Sequence, residues 1–138
     1  GAMLAGQAFA NAPVAAVHAL AYPLGGHYHI SHGLSNSLVL PHVLHFNLPA
    51  AYSSYAQLAN VINPYARAKP MTLAEYFIEA IQTLIHAVNL PRQLRALNIP
   101  EQDLPMLAKD ALLQQRLLIN NPRELTEADA LAIYQAAY

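Results

Sequence analysis

The sequence predicts an all-α domain, a bundle of about six helices. Apolar residues recur at three- and four-residue spacing along most of the chain, which is the period of a helix face. No run alternates cleanly with period two, as a half-buried strand would. Clusters of Pro, Gly and Asn divide the chain into segments of helical length.

The elements follow in order. Residues 3 to 21 are rich in Ala and Leu, and Phe9, Val14, Val17 and Leu20 fall at helical spacing, with Pro13 marking a kink or break inside the stretch. Tyr22-Pro23-Leu24-Gly25-Gly26 predicts its end, because Pro and paired Gly propagate a helix poorly. A loop with His27, Tyr28, His29 and Ile30 follows. Ser31 then caps a second helix to about Asn47, with Pro41 inside it. A third helix runs from Ala50 to Ile62, with Tyr52, Tyr55, Ala59 and Ile62 as its stripe, and Asn63-Pro64 stops it. Thr72 and Glu75 match a capping box that opens a fourth, to about Val88, presenting Leu73, Phe77, Ala80, Ile81, Leu84 and Val88. Asp103 caps a fifth helix from Leu104 to about Ile119, and Thr126 with Asp129 opens the last.

The chain has 138 residues, of which 55% are hydrophobic and only 11% charged. That length suits one helical domain, residues 3–138, and Gly1-Ala2 ahead of Met3 reads as a remnant of tag cleavage. All seven basic and eight acidic residues lie between Arg67 and Asp129, so the run from Gly1 to Ala66 carries no charge. A net charge of −1 without a basic cluster speaks against nucleic acid, whose phosphates need grouped Lys and Arg. With no cysteine there is neither a disulfide framework nor a thiolate ligand. Gln7, Asn11, Pro13, His18, Pro41 and His42 interrupt the uncharged run before it reaches the ~18 apolar residues of a membrane span. No basic segment precedes it as in a signal peptide, so the pattern is that of a cytoplasmic protein.

Six of the seven histidines lie between His18 and His45. The turn signals between His18 and His32 allow the chain to fold back and bring the two imidazoles to one end of a helix pair. Neutral imidazoles suit Fe(II) or Zn, although two ligands alone make a weak site. The bland reading is two ordinary histidines near helix ends. His42 and His45, three apart, can chelate from one helix face but more commonly sit half-exposed; His86 reads as a plain helix residue. Asn36 reads as a buried structural amide, with a hydrogen bond to a loop or ligand as the other option. Arg123 and Glu124 read as solvated surface.

The stretch GQAFANAPVAAVHALAYPLGGHYHISHGLSNSLVLPHVLHFN, Gly6 to Asn47, resembles the long signature of iron-containing (group III) alcohol dehydrogenases. The ending NNPRELTEADALAIYQAAY, Asn120 to Tyr138, is similar to the ending of that family, and NVINP and LNIPEQDLPMLAKDAL between them also fit. The resemblance covers essentially all of the chain from Met3. It implies part of the helical C-terminal domain of a dehydroquinate synthase-like fold, whose other, N-terminal domain binds the nucleotide. It implies a metal held by one Asp and three His, the last two of which match His18 in VHALA and His32 in SHG. No residue of this chain matches the Asp, the first His or the glycine-rich cofactor elements. Tyr22 stands where the family often has a further His near coenzyme and substrate. A phenol donates a hydrogen bond but ordinarily titrates near 10, which suits a proton relay poorly. Ser31 replaces the usual Pro before HG, a change compatible with a helix N-cap.

The function implied is hydride transfer between an alcohol or aldehyde and NAD(P), with iron or zinc as Lewis acid. Tyr22 is the single catalytic candidate, and Phe9, Leu24, Tyr28 and His29 are candidates for the substrate side, each with a plainer reading as packing or loop. The chain by itself need hold neither metal nor cofactor, and the expectation is a fragment inactive alone. The alternative is a structural or binding module that self-associates as a homo-oligomer through its uncharged N-terminal half. A metal-storage or regulatory role has only the histidine count in its favour.

Overall fold

Pro13 divides the N-terminal apolar stretch in two. In the computed structural model, which describes Gly1 to Tyr138, α1 spans Ala2–Asn11 and α2 spans Ala16–Tyr28. No residue of α1 is buried. By contrast α2 buries Ala16, Ala19, Leu20 and Leu24.

The predicted stop at Tyr22 to Gly26 does not occur. α2 continues through Pro23, Gly25 and Gly26 to Tyr28. A helix-interior proline costs about 3 kcal/mol, whereas burying Leu20 and Leu24 returns roughly 1.5–3 kcal/mol each. Packing outweighs the breaker. The helix ends at His29, whose φ of 54° is left-handed and whose N–H donates to the Gly25 carbonyl at 3.1 Å. Histidine is among the residues that tolerate this conformation.

One helix replaces the two predicted between Ser31 and Ile62. α3 spans His32–Ile62, 31 residues, with Pro41 and Pro49 inside it. Leu38, Val39 and Val43 anchor its first half in the main core, and Ala51, Tyr55, Ala56 and Ala59 anchor its second half against α4. Ser31 occupies the N-cap position without a side-chain cap bond. Of the predicted stripe, Tyr55 and Ala59 are buried, while Tyr52 and Ile62 stay exposed.

α4 spans Pro70–Ala87 and begins two residues before the predicted capping box. Pro70 suits the first helical turn, where its missing N–H has no partner to lose. Glu75 is therefore an exposed helix residue rather than a cap. The buried face is Leu73, Ala74, Ile78 and Ile85, so Leu84 and Val88 of the predicted stripe are exposed.

Two short 3-10 turns, Leu94–Leu97 and Glu101–Asp103, precede α5, Leu104–Ala111. The predicted helix to Ile119 breaks after Ala111. Bonds from Leu113 N to Asp110 O and from Gln114 N to Ala111 O, both 3.1 Å, tighten the chain there. The turn lets α6, Gln115–Leu118, bury Leu117 and Leu118. α7 spans Glu127–Ala136, and its capping box forms: the Thr126 hydroxyl accepts from Asp129 N while the Asp129 carboxylate accepts from Thr126 N. The chain is thus all helical, with seven α-helices and no strand. No helix is long and apolar enough to cross a membrane.

Candidate metal centre

The three residues His29, Ile30 and Ser31 return the chain over its own helix and set α3 against α2. His18 and Tyr22 lie four apart on α2, and His32 and Asn36 four apart on α3, so each pair shares a helix face. The faces meet. The His18 and His32 ring centroids are 5.1 Å apart with planes tilted by 58°. The rings of Tyr22 and His32 are 5.9 Å apart. His18 sits in the first turn of α2, not near its end as the sequence suggests, because the helix runs on past the glycines.

His18 is half-buried, and burial, together with the neighbouring His32, pushes its pKa below the ordinary histidine value. Both effects disfavour a positive charge, so the neutral, ligand-competent form is favoured. His32 is exposed, and its Nε2 lies 3.1 Å from Asn36 Nδ2. Beside His18 lies a hollow of about 420 Å³, walled by apolar residues such as Val17, Leu40 and Leu44 and also lined by Asn36 and Tyr55. Asn36, Leu40 and Leu44 repeat every four residues along α3, the sequence signal that sets them on one face.

The other candidates lie apart from this meeting point. Leu24 is fully buried in the main core. Tyr28 donates its hydroxyl to Asp103 Oδ2 at 2.6 Å, so Asp103 ties α2 to the segment before α5 instead of capping a helix. Burial, reinforced by that carboxylate, pushes the Tyr28 pKa up to about 12. His29 is exposed at the left-handed end of α2, and Phe9 is exposed on α1. His42 is half-buried, its pKa lowered by burial and by His45, which is exposed. Arg123 is not solvated surface. Its guanidinium stacks 4.1 Å from the Phe46 ring centroid and donates to the Phe46 carbonyl.

As a donor set for a metal, the arrangement is half of a site. Two imidazoles this close match the nitrogen ligands that Fe(II) and Zn accept. No group of three or more His, Cys, Asp or Glu side chains gathers anywhere in the chain.

The whole chain, residues 1–138, matches the sequence profile of the Fe-containing alcohol dehydrogenase family, C-terminal part. The chain belongs to that family. It is 42% identical over 139 residues to long-chain-alcohol dehydrogenase 1 of Geobacillus thermodenitrificans (strain NG80-2), covering 100% of this chain and 35% of that enzyme. It is 36% identical over 137 residues to 1,3-propanediol dehydrogenase of Klebsiella pneumoniae, covering 99% of this chain and 35% of the relative. Among solved structures, a 1,3-propanediol oxidoreductase superposes with a TM-score of 0.90 at 37% identity, over 98% of this chain and 35% of the other. The alcohol dehydrogenase from Oenococcus oeni also gives 0.90, at 35% identity, over 99% of this chain and 36% of the other. The chain therefore spans about a third of the length of the relatives it matches.

Proposed function

We propose that these helices are the metal-holding part of an alcohol dehydrogenase, with His18 and His32 as two of its ligands to iron or zinc. The reaction is hydride transfer between a small alcohol or aldehyde and NAD(P). The observation that carries this reading is the 5.1 Å approach of the two imidazoles in a chain that matches the family from end to end. A bound metal supplies a Lewis acid that polarises the alcohol or carbonyl oxygen. His18 contributes a neutral nitrogen, because its burial resists protonation. Tyr22, beside His32, offers a hydroxyl donor to the substrate oxygen. The apolar wall next to His18 keeps water from competing for that oxygen.

With only two clustered ligands, the chain on its own is catalytically silent in this reading. Calorimetric titration with Zn²⁺ near neutral pH tests it. One equivalent should bind weakly, and His18→Ala and His32→Ala should each abolish the heat. Binding that survives both substitutions overturns the assignment. Steady NADH oxidation with an aldehyde by this chain alone, lost in His32→Ala, overturns the silence.

A second reading, self-association, has its own observation. α1 buries none of its residues and leaves Met3, Leu4 and Phe9 more than half exposed, an apolar surface that tends to find a partner. Light scattering at micromolar concentration should give a mass above one chain, and deleting residues 1–12 should lower it. A mass of 15.0 kDa for the full chain counts against this reading.

A further inference from the structure

Asn36 carries the one buried side-chain polar atom in the protein that lacks a hydrogen-bond partner, its Oδ1. The other end of the same carboxamide, Nδ2, lies 3.1 Å from Nε2 of His32. The two ends make different demands: the NH₂ group carries two donors, the oxygen only accepts. Turning the amide over would place two donors where one oxygen now sits without a partner, and a buried unpaired donor is penalised as an unpaired acceptor is. The orientation with N–H toward the ring is therefore the favoured one. In that orientation Nε2 has to accept, so it bears the lone pair and the ring proton resides on Nδ1.

We propose that Asn36 is a positioning residue for the metal pair: its carboxamide holds His32 in the tautomer whose Nε2 is unprotonated. The role rests on the metal-binding reading above. Without metal, the Asn36 N–H satisfies the Nε2 lone pair across the turn that joins the two residues on α3. Were His32 to ligate a metal through Nε2, the amide would give up that lone pair and no ring proton would have to be moved. This differs from the usual arrangement, in which a partner of a ligating histidine accepts from the nitrogen that is not bound to metal. Asn36 would instead act on the nitrogen offered to the metal.

The tautomer can be read without any activity. In chelator-stripped chain labelled with ¹⁵N-histidine, at about pH 8 where ordinary imidazoles are neutral, long-range proton–nitrogen correlation spectra distinguish bare from protonated ring nitrogens. Wild-type His32 should show bare Nε2 and protonated Nδ1. Asn36→Asp, close in shape but only an acceptor, should reverse that pattern at His32 and leave His29, His42, His45 and His86 as they were. Asn36→Leu, which neither donates nor accepts, should remove the preference; unchanged circular dichroism in both variants separates this effect from misfolding. Adding Zn²⁺ to the wild type should shift the Nε2 signal while Nδ1 stays protonated. No Zn²⁺-induced shift at either His18 or His32 would overturn the metal-binding reading and this role with it. An Nε2 proton on wild-type His32, or a His32 pattern unchanged in both variants, would overturn the role of Asn36 alone.

Discussion

At the scale of single residues, a few buried or capped polar groups fix where the apolar helices meet. The Tyr134 hydroxyl donates to the Leu20 carbonyl at 2.6 Å, tying α7 to the helix that bears His18. Burial pushes its pKa far up, so it remains a donor throughout the working range. Asn47 and Asn121 exchange reciprocal amide bonds of 2.9 and 2.8 Å, holding α3 to the segment before α7. The Thr126–Asp129 box is the most exposed of these devices and the easiest to test. Removing an N-cap hydroxyl costs about 1 kcal/mol, so Thr126→Ala should lower Tm by roughly 3–5 °C in a domain of this size. The effect should depend on pH in a definite direction. The Thr126 hydroxyl and then its backbone N–H hold the Asp129 carboxyl below its ordinary value. A carboxyl depressed in the folded state stabilises above its unfolded pKa, and that contribution is lost as pH falls through the folded one. The difference in Tm between wild type and Thr126→Ala should therefore be full at pH 7 and shrink as the pH is taken toward 3. Melts followed by circular dichroism check this, and a gap that stays constant with pH would show the carboxylate is not part of the cap's stabilisation.

At the scale of elements, the sequence states the period more faithfully than the punctuation. All-α architecture, the split at Pro13 and the start of α7 follow from residues whose effect is local: a proline that disfavours helix before it, and a Thr–Asp pair that needs no tertiary partner. The errors fall where tertiary burial overrides a local signal. Pro23, with the glycines after it, reads as a stop, yet it lies inside α2 between buried Leu20 and Leu24, as Pro41 and Pro49 lie inside α3 between Val39 and Val43 and between Asn47 and Ala51. The opposite error occurs at Leu112, where nothing in the sequence warns of a turn that exists so that Leu117 and Leu118 reach the core. These slips bear on the site. The turn signals let His18 and His32 meet, but only the family motif marks them as ligands, since fourteen-residue spacing across glycines says little by itself. Tyr22 joins His18 by a four-residue step that crosses the predicted helix end, whereas Asn36 joins His32 by a step inside the predicted second helix. The predicted end at Ala21 falls seven residues short of Tyr28, which sets His18 at the wrong end of its helix. The Arg123–Phe46 contact left no local trace at all, because its partners are 77 positions apart.

At the scale of the whole molecule, the core is divided unequally, and the division predicts where the protein opens first. The main cluster joins 20 buried residues, including Leu20, Leu38, Leu104, Leu107 and Tyr134, from α2, the first half of α3 and everything after Gln93. The second half of α3 and α4 form a hairpin held by two clusters of four and three residues, in which Tyr55, Ile78 and Leu73 are the only large side chains. Each large apolar side chain contributes roughly 1.5–3 kcal/mol when buried, so the hairpin rests on far less burial than the main body. Local opening follows such differences. Amides of residues 51–62 and 71–87 should thus exchange with solvent through a partial opening, at a lower free energy than those of Leu20, Leu107 and Tyr134. Both ring-bearing turns of the His18–His32 pair belong to the main body, so the pair should stay assembled while the hairpin opens. Ile78→Ala separates the two units: such truncations cost about 2–5 kcal/mol, and the loss should appear as faster exchange across the hairpin, with protection in α2 and α7 at the wild-type level. Leu107→Ala should speed exchange everywhere, because it weakens the unit on which the hairpin is mounted. Equal loss of protection in both regions for Ile78→Ala would mean that the chain unfolds as one unit, with the long α3 transmitting the damage from one half to the other.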